Sequence, residues 1–112
     1  MQVENGIIVA RFNSKHLFSI DDAIKGVTDR LELQGGQDFP ILIFTNGVIS
    51  SSKEVRAFMA AKGVSGISKG AFLVNNLYEQ FFVRFFLMVD APSVPTKVFF
   101  DEKEARNWLK AE

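Results

Sequence analysis

Ser50, Ser51 and Ser52 stand in a row where an apolar run gives way to a helical pattern. A helix start aims backbone N–H groups outward and attracts anions, and a phosphate there would add nearly two negative charges. These three serines are therefore the candidate phosphorylation or anion site. A plainer explanation stands beside it: one of them is simply the N-cap of the helix. His16 is the sole histidine, and the sequence names no partner that would make it a general base. Asp21-Asp22 and Asp101-Glu102 fall at helix starts, where capping and the helix dipole account for them. The stretch from Gly63 to Gly70 superficially resembles a phosphate loop. It follows a helix and precedes a strand, the reverse of that motif, so it reads as a connection. No His or Glu pair shows metal-ligand spacing. The expectation is thus no catalytic residue, no metal and no cofactor.

A second group is apolar. Leu77 to Met88 carries Tyr78, Phe81, Phe82, Phe85 and Phe86, in a chain with 12 phenylalanines among 112 residues. At about 100° per residue, its large apolar groups cover about 180° of the helix, and Val83 and Leu87 fall outside even that arc. A helix packed on one sheet needs only roughly 100°. Three explanations stand: burial against a neighbouring helix, a homodimer surface, or a pocket for an apolar ligand. Those five aromatic residues are the candidate interface or apolar-ligand surface.

The elements that must position these groups alternate. Apolar runs at Gly6–Phe12, Pro40–Phe44, Ala71–Val74 and Val98–Phe100 are each followed by a helical pattern, beginning near Ile20, Lys53, Leu77 and Glu102. A βαβαβαβα order of short strands and helices predicts an α/β domain with a mostly parallel sheet. Ser19 is the expected cap of the first helix, whose apolar stripe is Ile20, Ala23, Ile24, Val27 and Leu31, and Gly35-Gly36 ends it. Pro40 fits only the start of its strand. Ser51 with Glu54 and Asp101 with Glu104 have capping-box spacing, and Asn75 or Asn76 caps the third helix. Val64 to Gly70 reads as a loop, Gly63 as the residue ending the second helix, and Thr96 to Phe100 as the last strand.

Composition bounds the function. The 13 basic and 13 acidic residues cancel, leaving no cationic surplus to displace counterions from nucleic acid. There is no cysteine, which excludes disulfides, thiol nucleophiles and thiolate metal sites. Met1 to Asn5 lacks the basic and apolar regions of a secretory signal, and no apolar stretch approaches the ~20 residues of a membrane span. One cytoplasmic domain over residues 1–112, without stable membrane insertion, is the expectation.

The ordered set of Gly6–Phe12, Pro40–Phe44 with its helix from Ser52 to Lys62, Gly63–Val74, and Val94–Phe100 leading into Glu104–Leu109 covers nearly the whole chain. In that order it resembles the SpoIIAA-like STAS/Sec14 superfamily, and within it the small stand-alone bacterial members of Bacteroidetes type. The resemblance implies a four- or five-stranded sheet with about four helices, no cofactor and no catalysis. In the anti-sigma-factor antagonists of the superfamily, a serine opening the helix after the central strand is phosphorylated and switches partner binding. Ser50, Ser51 and Ser52 occupy that region. The antagonist pattern is Asp-Ser-Ser-Gly, whereas here the acidic residue is missing and Lys53 replaces the glycine. The Sec14 side of the superfamily binds lipids. Together these imply a non-enzymatic regulatory module that binds a protein partner or itself as a homodimer. The alternative is a binding protein or sensor for an apolar small molecule or lipid.

Overall fold

In the computed structural model, residues 1–11, 19–45 and 52–111 are described. Five strands form one sheet: β1 (Gln2–Glu4), β2 (Ile7–Arg11), β3 (Phe39–Phe44), β4 (Ile67–Leu73) and β5 (Thr96–Phe99). Their order across the sheet is the order of the chain. β2 to β5 run parallel, and β1 pairs antiparallel with β2. Among the described residues four α-helices pack on this sheet: α1 (Ile20–Gln34), α2 (Lys53–Ala61), α3 (Leu77–Val89) and α4 (Glu102–Lys110). The α/β fold class and the mostly parallel sheet expected from the alternation are both present.

Each crossover advances one strand in the same direction, so its right-handedness places α1, α2 and α3 on one face. α4 covers the other. Side chains alternate between the faces. Ile7 and Val9, Leu42 and Phe44, and Ala71 and Leu73 point to α4, where they form one buried cluster with Ala105 and Leu109. Phe99 and Trp108 pack against it, their rings 5.7 Å apart. Lys69 and Lys97 lie over the Trp108 indole at 4.7 and 5.4 Å.

Local signals account for the boundaries. Ser19 closes a reciprocal capping box with Asp22, and Gly35, with φ of 59°, ends α1 in the left-handed conformation. Asn76 and Asp101 cap α3 and α4 through their side chains. The α2 cap is Ser52, whose hydroxyl oxygen accepts from the Val55 N–H at 3.1 Å. The cap is therefore one residue beyond the expected Ser51–Glu54 box.

Five further expectations are corrected. β1 falls within Met1 to Asn5, joined to β2 by Asn5-Gly6, both at positive φ as a tight hairpin of primed type requires. Ile67 to Gly70 is strand, not loop, because Gly66 alone makes the turn into β4. Its φ is +75°, and a Cβ there would stand 2.7 Å from Gln34 Nε2. β3 begins at Phe39 rather than Pro40, and the β3–β4 register shifts between Phe39 and Ile41, which absorbs the residue that cannot donate. β5 ends at Phe99 rather than Phe100. Finally, the α1 stripe is rotated: Ala23 and Val27 are buried, but Ile24 and Leu31 are exposed, and Arg30 and Gln34 are buried in their place.

Candidate functional site

The face covered by α1, α2 and α3 is built differently from the α4 face. Its strand residues include Ala10, Gly70 and Thr96, and α1 turns Ala23 and Gly26 toward them. Small residues on both walls hold the layers apart without filling the space between. The result is a cavity of about 420 Å³, within the ~300–1,000 Å³ of small-molecule sites. Nothing lies within 4 Å of where a Gly26 Cβ would sit. Ile41, Ile43 and Phe72 form the floor, while Val55 and Met59 of α2 and Phe82 and Phe86 of α3 form the roof. Phe86 meets Phe72 edge-on at 6.1 Å.

The aromatic residues of α3 divide between two surfaces. Phe82 and Phe86 are half-buried and line the cavity; Phe85 lines it too while remaining partly exposed. Tyr78 and Phe81 are exposed, with Leu77 and Met88 at 75% and 76%. The face of α3 that is buried is centred on Glu79 and Val83. Val83, outside the large apolar arc, is thus the inward residue, and much of that arc faces outward. The reason is polar: Glu79 is drawn inward and sets the rotation of the helix.

Glu79 is 6% exposed. Its carboxylate accepts from the Thr45 hydroxyl at 2.7 Å and from the Asn75 N–H at 2.9 Å. The Glu79 N–H in turn donates to Asn76 Oδ1 at 2.8 Å. This knot joins the ends of β3 and β4 to the start of α3. At the other end of that helix, Arg56 of α2 pairs with Asp90 at 3.1 Å and lies over the Phe85 ring at 5.4 Å.

Arg30 is the other buried polar anchor, only 3% exposed. Its Nη1 donates to Gln34 Oε1 and, at 2.8 Å, to the Ser65 carbonyl; Nη2 donates to the Gly63 carbonyl at 2.9 Å. Gln34 Nε2 donates to the Gln37 and Gly66 carbonyls. The pair therefore satisfies the main chain of the turn between α2 and β4. Burial pulls the Arg30 guanidinium below its ordinary value.

Of the three serines, Ser52 is exposed and caps α2; Ser50, Ser51 and His16 lie outside the described residues. Arg30, Thr45 and Glu79 were not among the sequence candidates. The one sequence signal for Arg30 is its position three residues after Val27, on the inward side of α1. Among the described residues no group of three His, Asp or Glu could hold a metal ion, and no helix is long and apolar enough to cross a membrane.

Residues 1–112 match the family described as a domain of unknown function, DUF7793. The chain belongs to that family. No curated protein and no solved structure matches it. The cavity and the outer stripe of α3 are thus the two features through which this DUF7793 chain can be read.

Proposed function

We propose that this chain is a non-enzymatic binding module that takes an apolar small molecule, or the apolar part of a lipid, between its sheet and the α1–α3 layer. The cavity carries this reading: about 420 Å³, walled by aliphatic and aromatic side chains, as ligand sites are. The sequential, mostly parallel sheet with its crossover helices supports the resemblance to STAS/Sec14 domains, and binding rather than catalysis is the activity proposed. The test is a titration of the full chain with 1-octanol, followed by amide and methyl NMR. Saturable shifts at Ile43, Val55 and Phe86 are expected, and Gly26→Leu should abolish them while leaving the fold intact. An unaltered protein whose cavity residues do not respond sinks the reading.

The α3 stripe favours a second reading, a regulatory module contacting a protein or a second copy of itself. Leu77, Phe81 and Met88 are large apolar side chains exposed along one side of α3, with Phe81 65% exposed. Ser52 opens α2, where phosphorylation would add charge at a helix N-terminus. Phe81→Glu is the discriminating variant, because Phe81 is exposed and the change does not bury a carboxylate. Light scattering would show a dimer in the parent and a folded monomer in the variant; a parent that is monomeric at every concentration removes the self-association form of this reading. For the phosphorylation form, Ser52→Asp should alter partner binding, and unchanged binding removes it.

A further inference from the structure

The cavity wall is electrically one-sided. Among the described lining residues the charged ones are Arg11, Arg30 and Arg56, with no Asp or Glu, although the whole chain balances 13 against 13; the Arg11 guanidinium lies 4.1 Å over the Phe44 ring, on the α4 side, which leaves Arg30 and Arg56. Arg56 has a carboxylate partner in Asp90. Arg30 has none among the described residues: its acceptors there are one side-chain amide and two main-chain carbonyls, all neutral. A guanidinium carries five N–H donors in a rigid fork. Those bonds use three of them, leaving Nε–H and one Nη2–H without an acceptor among the described residues. Burying a cation without a counter-charge is costly, and partial carbonyl charges offset it only in part. Arg30 also sits where the helix turns its small residues to the cavity, three and four residues after Val27 and Gly26.

We infer that the ligand is an anionic amphiphile, with its aliphatic body in the cavity and a carboxylate or similar oxyanion headgroup held by the free edge of Arg30. This rests on the apolar-ligand reading and narrows it. An oxyanion would complete the donor set of Arg30 with charge-assisted hydrogen bonds, which are roughly twice as strong as neutral ones. The lining offers the headgroup no repelling carboxylate. A cationic or neutral lipid of the same body would leave the guanidinium uncompensated.

Octanoate and 1-octanol share one chain and differ at the head, so they are the probes. Calorimetric titration of the full chain at neutral pH should give octanoate at least tenfold tighter binding than 1-octanol. The Arg30 Nε–H resonance should move with octanoate and stay still with 1-octanol. Equal affinities overturn the headgroup assignment and leave the cavity reading standing; failure of both probes to bind overturns the cavity reading and this inference with it. Two variants sharpen the result, each checked first for its fold because Arg30 also holds the α2–β4 turn. Arg30→Lys should keep part of the preference for the acid. Arg30→Gln should bring the two affinities together, and a preference undiminished in that variant places the headgroup elsewhere and defeats the inference. Should Arg30→Gln not fold, the affinity ratio and the Nε–H shift in the unaltered protein decide the question alone.

Discussion

The two faces of the sheet are covered by helices in opposite ways. On the α4 face, Leu42, Phe44, Leu73 and Leu109 pack in one buried cluster. On the other, three helices span the sheet yet leave about 420 Å³ between the layers. The strands supply residues of ordinary apolarity to both. What differs is size and anchoring: Ala10, Ala23, Gly26 and Gly70 line the open face, and its helices are pinned by polar knots at Arg30 and Glu79 rather than by close packing alone. Stability and binding are thus divided between faces of one sheet. A packed core tolerates no voids cheaply, and a binding site requires one.

Truncations break this comparison most directly. Leu42→Ala, at a side chain with no exposure on the packed face, should cost about 3–4 kcal/mol, read as a lowered urea midpoint. Its strand neighbour Ile43 points to the cavity. Ile43→Ala should cost about 1–2 kcal/mol, because a side chain beside existing space loses fewer contacts. Equal costs at the two positions would mean that the faces are packed alike. Gly26→Ala should stabilise by about 1 kcal/mol, since it gains helix propensity and its methyl meets nothing; a raised midpoint of thermal unfolding checks it, and a loss would mean the space is not there.

The smallest effect concerns the edge of the packed face. The Glu4 carboxyl is held below its ordinary value, first by the Gln2 side-chain amide and then by Arg106 of α4, 3.1 Å away. A depressed carboxylate contributes above its unfolded value, and the contribution fades as the pH falls through the carboxylate range toward the folded value. Amide shifts of β1 should therefore move on acidification, in the range around pH 4 and below, before the far-ultraviolet signal changes. Glu4→Gln should remove that early step.

Much of the fold was legible in the residues. Continuous apolar runs announced β2 and β3 because both of their faces are covered, and Ser19, Gly35 and Asp101 marked helix ends through capping chemistry that acts locally. β1 escaped because Gln2-Val3-Glu4 offers one apolar residue; the Asn5-Gly6 turn was the signal that would have found it. The start of β4 escaped because Ser68, Lys69 and Gly70 look like connection residues, while the strand owes its pairing to main-chain bonds with β3 and β5. Aromatic density pointed correctly to α3 as the helix with surplus apolar surface, but not to the way Phe82 and Phe81 would part. That rotation is set by Glu79 reaching Thr45 and Asn75, contacts between segments 34 and 4 residues apart. Arg30 was hidden for a related reason: its partners are carbonyls, which every residue carries and no composition reveals.

Trp108 has a practical bearing on all such work. It is the sole tryptophan, and it sits on α4 with Phe99, Lys69 and Lys97 around it, behind the sheet from the cavity. Its emission reports loss of the packed face, as denaturation does, while a guest arriving on the opposite side leaves the indole's surroundings untouched. Intrinsic fluorescence is therefore a faithful thermometer for this domain and a blind detector of what it holds.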